Sequence, residues 1–494
     1  MKILMAVSEA VPFVKTGGLA DAVSALSLAL VKLGNEVKIV MPRYWRINRE
    51  ELTLLKGEMG VKMGGGIEEW CAVYKTSMPG SSTKNPVEVF FIDHEIFFGR
   101  DGIYNNMFNE DYIDNPRRFT FFSRSVFQLC NKIGWYPDVI HAHDWPTAIV
   151  PVYLKYGLRE GNFEKTISVL TIHNLGYQGI YHKDNFNYTG LGWNVFYEGG
   201  FDDWGMMNML KAGIYSADSL NTVSETYCEE TKTQAHSFRL DGPLRYRNVD
   251  YRGILNGIDD DVWNPAKDEM LPKPYSLEDM SGKAAAKEEL QKRFGLTVDP
   301  NIPVIGMITR LSEQKGIGEL FGPCYGSIFS ICRDMNLQIV LLGSGETWCE
   351  REIAGLSERL PNFKANIGYS EKLSHLIEAG SDFFLMPSRY EPCGLNQMYS
   401  LVYGTLPIVR RTGGLVDTVQ NYEQTTGNGT GFMFDDLTPQ AVYDTVGWAV
   451  WAYYNKPKDI EKMRKRGMKQ NFSWTLSAKR YVEMYKHSLS NLGN

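Results

Sequence analysis

Several short stretches of this chain carry side chains able to stabilise negative charge or hold hydroxyl groups. KTGGLADAV begins at Lys15, between an apolar strand-like run and a helical pattern. A cation, a small hydroxyl and two glycines at such a turn can aim backbone N–H groups at an anion. The Lys15 ammonium could then reach over the helix start toward a phosphate. RTGGLVDTV, from Arg411, repeats the pattern. Either copy alone reads equally well as a tight packing turn, but two copies in two sheets facing one cleft favour function. Neither GxxxxGK[ST] nor GxGxxG occurs, so a P-loop NTPase and a nicotinamide enzyme both lack their defining part.

HAHDW (His141–Trp145) and TIHN (Thr171–Asn174) each end a strand-like run. In the first, Asp144 directly follows His143, which misses the HxHxD ligand spacing of binuclear metallohydrolases. A polar cluster at a strand's carboxyl end is the better reading, and no metal is expected. His173 and Asn174 stand where open α/β sheets bind ligands. ITRLSEQKG puts Arg310 and Lys315 in one loop between a strand and the next helix, and paired cations suit a departing diphosphate. In RYEPCGLNQ, Glu391 offers a carboxylate to sugar hydroxyls and Gly394 permits close approach. Cys393 has no histidine partner motif and is read as small and packed.

Positioning these groups requires a large scaffold, and 494 residues at 43% hydrophobic can supply it. That length favours two domains. A net charge of −6 provides no basic field for nucleic acid or an acidic membrane. Seven scattered cysteines without a CxxC pair argue for a reducing compartment. MKILMAVSEA reads as a strand, with neither a secretory nor an organelle leader pattern, and no run reaches membrane-spanning length. The expected location is the cytoplasm of a prokaryote, or a plastid if a leader has been removed.

Short β-branched runs alternate with helical patterns along the whole chain, from KILMA to GILNG and again from IPVIGMITR to GFMF. They predict an α/β protein with two doubly wound parallel sheets. The Pro- and charge-rich passage after residue 260, DDVWNPAKDEMLPKPYSLEDMSG, reads as a linker. The helix AAAKEELQKRFG follows, stopped by Gly295. The stretch from Pro439 is helical, and its aromatic run reads as core.

KTGGLAD, HAHDW, TIHNLGYQG, NTVSETY, GILNGID, WNP, RLSEQKG, IGYSE, PSRYEPCGLNQ and YGTLPIVRRTGGLVDTV occur in that order. Together they resemble glycosyltransferase family 5, the ADP-glucose-using glycogen and starch synthases, across nearly the whole chain. The resemblance implies a GT-B fold, two Rossmann-like domains facing a deep central cleft. Residues 1–260, joined by the terminal helix 474–494, would form the acceptor domain, and 261–473 the donor domain. It implies a catalytic set of Lys15, His173, Arg310, Lys315 and Glu391. Gly18, Asp21, Asp144, Asn174 and Asn256 would line the donor-sugar and acceptor region, with Tyr104 an aromatic near the donor. Cys393, Gly394 and Leu395 would meet sugar and phosphate, and Tyr369 would stack on adenine. Asn396 departs from the family's usual threonine, which puts the positioning of the distal phosphate in question.

The implied reaction is retaining transfer of glucose from ADP-glucose to the nonreducing-end 4-hydroxyl of an α-1,4-glucan such as glycogen, releasing ADP. No cofactor is implied, and an oligomer is allowed. The rival readings are a related transferase using UDP-glucose, a glucan-binding relative without activity, and a metal-dependent hydrolase built on HAHDW.

Overall fold

The computed structural model describes residues 1–107, 110–323 and 326–492. The backbone divides into two compact units, Met1–Gly257 with Trp474–Asn494, and Ile258–Ser473.

The first unit opens with β1 (Lys2–Ala6), β2 (Glu36–Pro42), β3 (Thr53–Leu54), β4 (Met59–Lys62), β5 (Glu68–Ser77) and β6 (Glu88–Asp93). It continues with β7 (Val139–His143), β8 (Ile167–Ile172), β9 (Ile180–His182), β10 (Asp202–Asp203), β11 (Met206–Asn208), β12 (Ser219–Thr222) and β13 (Tyr251–Gly253). The main sheet runs β13-β12-β8-β7-β1-β2-β6-β5-β3, with β4 beside β5. From β13 to β6 every pairing is parallel. Strands such as β8 (ISVLTI) are buried throughout, as expected where helices cover both faces.

β5 pairs antiparallel with β6 and extends the sheet toward one edge. Its residues alternate between buried and more exposed, so it does not show the continuous apolar run that marks its neighbours. This antiparallel extension, and the small sheet β10-β11-β9, add to the parallel arrangement read from the sequence.

In the second unit β14 (Val304–Leu311), β15 (Gln338–Gly345), β16 (Phe363–Ile367), β17 (Phe383–Met386), β18 (Leu406–Arg410) and β19 (Phe432–Phe434) form one sheet. Its order is β16-β15-β14-β17-β18-β19, parallel at every pairing. Alternate strand residues feed two cores. Ile339, Leu341 and Phe383 lie in one, and Val340, Leu342 and Phe384 in the other. In both sheets the strand order reverses beside the first strand, between β1 and β7 and between β14 and β17. Open α/β sheets bind ligands beyond the carboxyl ends of the strands at such a reversal.

The linker reading is corrected. Residues from Ile258 belong to the second unit, and this passage is packed into it. Trp263 lies flat between His375 (3.9 Å between ring centres) and Tyr399 (3.8 Å). Asp268 accepts from Tyr403 Oη at 2.6 Å and bonds His375 Nδ1 at 2.7 Å. Its prolines and charges hid buried Leu271 and Tyr275. The helix Trp474–Leu492 belongs to the first unit. Its Tyr485 bonds His141 at 2.7 Å, and its Tyr481 accepts from Asn221 at 3.1 Å. Among the described residues no helix is long and apolar enough to cross a membrane.

Candidate active site

In the first unit the loop after β1 leads into the helix Gly18–Lys32, with Gly17 at its cap. A Cβ built on Gly17 meets nothing within 4 Å, so the loop is open on that side. The loop is held from beneath by Glu9, whose side chain is buried. Glu9 accepts from the Thr16 backbone N–H, from Thr16 Oγ1 at 2.9 Å and from Tyr104 Oη at 3.1 Å. Burial pushes the Glu9 carboxyl above its usual range, while those hydrogen bonds favour the charged form. Lys15 bonds Asp21 at 2.7 Å, both partly exposed. In this conformation its ammonium sits on that carboxylate instead of reaching over the helix start.

Asp144 directly follows β7 with φ of 57° and ψ of −174°, a region that disfavours side chains. The turn lets its carboxylate accept from the N–H groups of His173 (2.6 Å) and Asn174 (3.3 Å) after β8. Burial raises the Asp144 carboxyl to about 7, and the two N–H donors oppose that rise. His143 Nδ1 and His173 Nε2 are 3.0 Å apart in a hydrogen bond. Burial pulls His141 and His173 down to about 3 and lowers His143 too, so the imidazoles are neutral near pH 7. His141 spends both ring nitrogens on Tyr485 and Thr171, leaving no lone pair to offer a metal. Among the described residues, His143 Nε2 and Asn256 Oδ1 are buried polar atoms with no hydrogen-bond partner.

The second unit builds its group at the reversal beside β14. Arg310 lies within β14, near its carboxyl end, and not in the loop that the sequence suggested. It is exposed. Lys315 ends the short turn Glu313–Lys315. Gly316 follows with φ of 73°, and a Cβ there would fall 2.2 Å from the Pro387 carbonyl. That close approach lets Lys315 Nζ reach Glu391 Oε2 at 2.5 Å, where Ser388 Oγ also donates at 2.8 Å. Thus the cation assigned to phosphate and the carboxylate assigned to sugar form one ion pair, 7% exposed on the glutamate side.

Gly394 has φ of 72°, a glycine conformation, and Leu395 caps the helix Asn396–Val402. Cys393 is buried. Asn396 Nδ2 donates to the Ile308 carbonyl at 2.9 Å and ties this helix to β14. Tyr369, just after β16, is 75% exposed.

The repeated RTGG turn is corrected as well. A Cβ on Gly413 would lie 1.9 Å from the Glu391 carbonyl, and one on Gly414 would lie 2.0 Å from that of Cys393. Gly414 N–H donates to Glu391 O at 3.0 Å. Arg411 pairs with Asp435 at 2.7 Å. This copy is a packing turn that supports the Glu391 loop.

The structure therefore joins Lys15 with Asp21, Asp144 with His173 and Asn174, and Lys315 with Glu391. The sequence reading missed Glu9 and Ser388. Glu9 had a signal, a carboxylate just beyond a buried parallel strand, the same placement that drew attention to Asp144.

Two sheets of Rossmann order in one chain, with charged groups beyond the reversal of each, match the architecture of the GT-B class of glycosyltransferases. A family model described as the starch synthase catalytic domain matches residues 2–246, and one described as glycosyl transferases group 1 matches residues 288–470. A protein of Treponema denticola named glycogen synthase is 55% identical over 99% of both chains. Glycogen synthase 1 of Geobacter metallireducens is 43% identical over 99% of this chain and 96% of its own. The catalytic domain of starch synthase IV from Arabidopsis thaliana, solved bound to ADP and acarbose, superposes with a TM-score of 0.88 at 31% identity over 99% of each chain. The chain belongs to the glycogen and starch synthase family of glycosyltransferases.

Proposed function

We propose that this enzyme transfers glucose from ADP-glucose to the nonreducing-end 4-hydroxyl of an α-1,4-glucan, with retention at the anomeric carbon and release of ADP. The observation that carries the donor and acceptor is the match, over nearly the full length of both chains, to a plant starch synthase solved with ADP and acarbose.

Breaking the glucosyl–oxygen bond leaves the electron pair on the diphosphate, so fixed cations there lower the barrier. Arg310 and Lys315 are assigned to that diphosphate, and Lys15, at an open helix start, supplies a third cation. Gly18 N–H and the helix dipole add to the same charge. Glu391 holds glucose hydroxyls, and its pairing with Lys315 fixes the spacing between sugar and phosphate contacts. Backbone N–H groups near Gly394 and Leu395 meet sugar and phosphate, beside Cys393. Neutral His173, held by Asp144, accepts or donates a hydrogen bond at the sugar without adding charge. Asn174, Asn256, Asp21 and Tyr104 complete the sugar-facing set, and Tyr369 stacks on adenine. The departing phosphate takes the proton of the incoming hydroxyl on the same face, which preserves configuration without an enzyme nucleophile.

The roles assigned here need no metal or other cofactor, so chelator should leave turnover unchanged. The seven cysteines are scattered without a CxxC pair, which fits a reducing cytoplasm. Incubation of purified protein with glycogen and either ADP-glucose or UDP-glucose, following nucleotide release and glucan growth, tests the reading. Faster growth with ADP-glucose is expected. Transfer only from UDP-glucose, or donor hydrolysis without glucan growth, would refute it.

A further inference from the structure

Trp204 and Gly205 form the two-residue turn between β10 and β11, where Asp203 pairs with Met206. Both turn residues have positive φ, 56° and 80°. Such turns favour Asn-Gly, and a tryptophan in the first position is an outlier. The ring gains no burial in return, for Trp204 is 88% exposed. Phe238 and Arg239 also have positive φ, 48° and 74°.

These strained residues are fastened together by buried polar groups. Gln178 donates to the Phe238 carbonyl at 2.8 Å and accepts from Asn208 at 2.7 Å. Asp203 accepts from Arg239 at 3.0 Å and from Asn208 at 3.3 Å. The knot holds the backbones of Tyr177, Trp204 and Phe238 beside one another, and these side chains are 54%, 88% and 38% exposed. It is also continuous with the candidate active site, because the Tyr177 N–H donates to the Asn174 carbonyl at 3.3 Å.

We infer that Tyr177, Trp204 and Phe238 form a platform for the glucan acceptor, on which pyranose rings beyond the reacting end stack while Arg239 bonds their hydroxyls. Aromatic faces suit the C–H faces of glucose, and the Arg239 side chain, 61% exposed, can reach solvent-side hydroxyls. The knot fixes the backbones that carry the rings before the acceptor arrives, which lowers the ordering cost of binding. A nucleotide is a poorer occupant, because Arg239 is already paired with Asp203. The inference rests on the proposed glucan acceptor.

Trp204→Asn separates binding from folding, since asparagine tolerates positive φ. The thermal midpoint of the full chain should hold or rise, and KM for maltoheptaose and glycogen should rise about 3- to 10-fold, equivalent to losing one aromatic stack. KM for ADP-glucose should not move, and Tyr177→Ala should act in the same direction. Migration through gels containing glycogen, with no donor present, should be retarded less for both variants than for wild type. Unchanged retardation and unchanged glucan KM would overturn the platform, as would a lowered midpoint for Trp204→Asn, which would mark the ring as a packing group. Loss of the proposed reaction is seen separately, as absence of glucosyl transfer by wild type.

Discussion

The chain uses the tetrapeptide x-Thr-Gly-Gly twice, at Lys15–Gly18 and at Arg411–Gly414, for opposite purposes. At the first, Gly17 faces open space and the following helix is fifteen residues long. At the second, both glycines lie against carbonyls of the Glu391 loop, and the helix has six residues. One turn exposes a helix start, whereas the other fills a gap that any side chain would block. A repeated motif reports a shared backbone bend. What each copy does depends on what lies within a few ångströms of its glycines.

The largest break in this comparison comes from adding one methyl group to each copy. Gly414→Ala drives a Cβ into backbone that cannot rotate away, and should cost about 3 kcal/mol or more. Gly17→Ala should change stability by less than about 0.5 kcal/mol. Denaturant unfolding of the two variants checks both values. Equal losses would erase the distinction.

Within the group that the second turn supports, Arg310→Ala and Lys315→Ala should each lower turnover roughly 10²–10³-fold, about 3–4 kcal/mol of transition-state stabilisation. Lys315→Ala should also raise the KM for ADP-glucose, because it leaves Glu391 without its cation. Steady-state kinetics at saturating glycogen separates the two effects.

A smaller effect, dependent on pH, concerns Asp144. Its folded-state value, about 7, lies above the unfolded one. The stability it contributes is therefore complete below about pH 4 and is lost as pH rises through about 7. Asp144→Asn, which cannot ionise, should gain on wild type by roughly 1–2 kcal/mol between pH 5 and pH 8. Activity should fall most at and above about pH 7, where the wild-type carboxylate is the charged acceptor for the His173 and Asn174 N–H groups. Thermal melts across that range, paired with initial rates, test both signs.

Much of the fold was legible in the sequence because buried parallel strands are written as continuous apolar runs, as in Ile167–Ile172. The half-exposed β5 lacked that signature and went unread. The passage after residue 260 was misread because prolines and charges outnumber the few large side chains, Trp263, Leu271 and Tyr275, that anchor it. At the candidate site, residue types and strand ends pointed to Asp144, His173 and Arg310. The pairing of Lys315 with Glu391 joins residues 76 positions apart, and no local pattern encodes it. Glu9 was overlooked because a single carboxylate after a strand is common, and its importance lies in holding Thr16.

The most direct test assays wild type, Lys15→Ala and Arg411→Ala side by side for glucosyl transfer from ADP-glucose to glycogen. Lys15→Ala should lose roughly 10²–10³-fold in turnover, and Arg411→Ala should stay within about twofold, as for an exposed surface pair. Equal losses in the two variants, or a larger one for Arg411→Ala, would contradict the account.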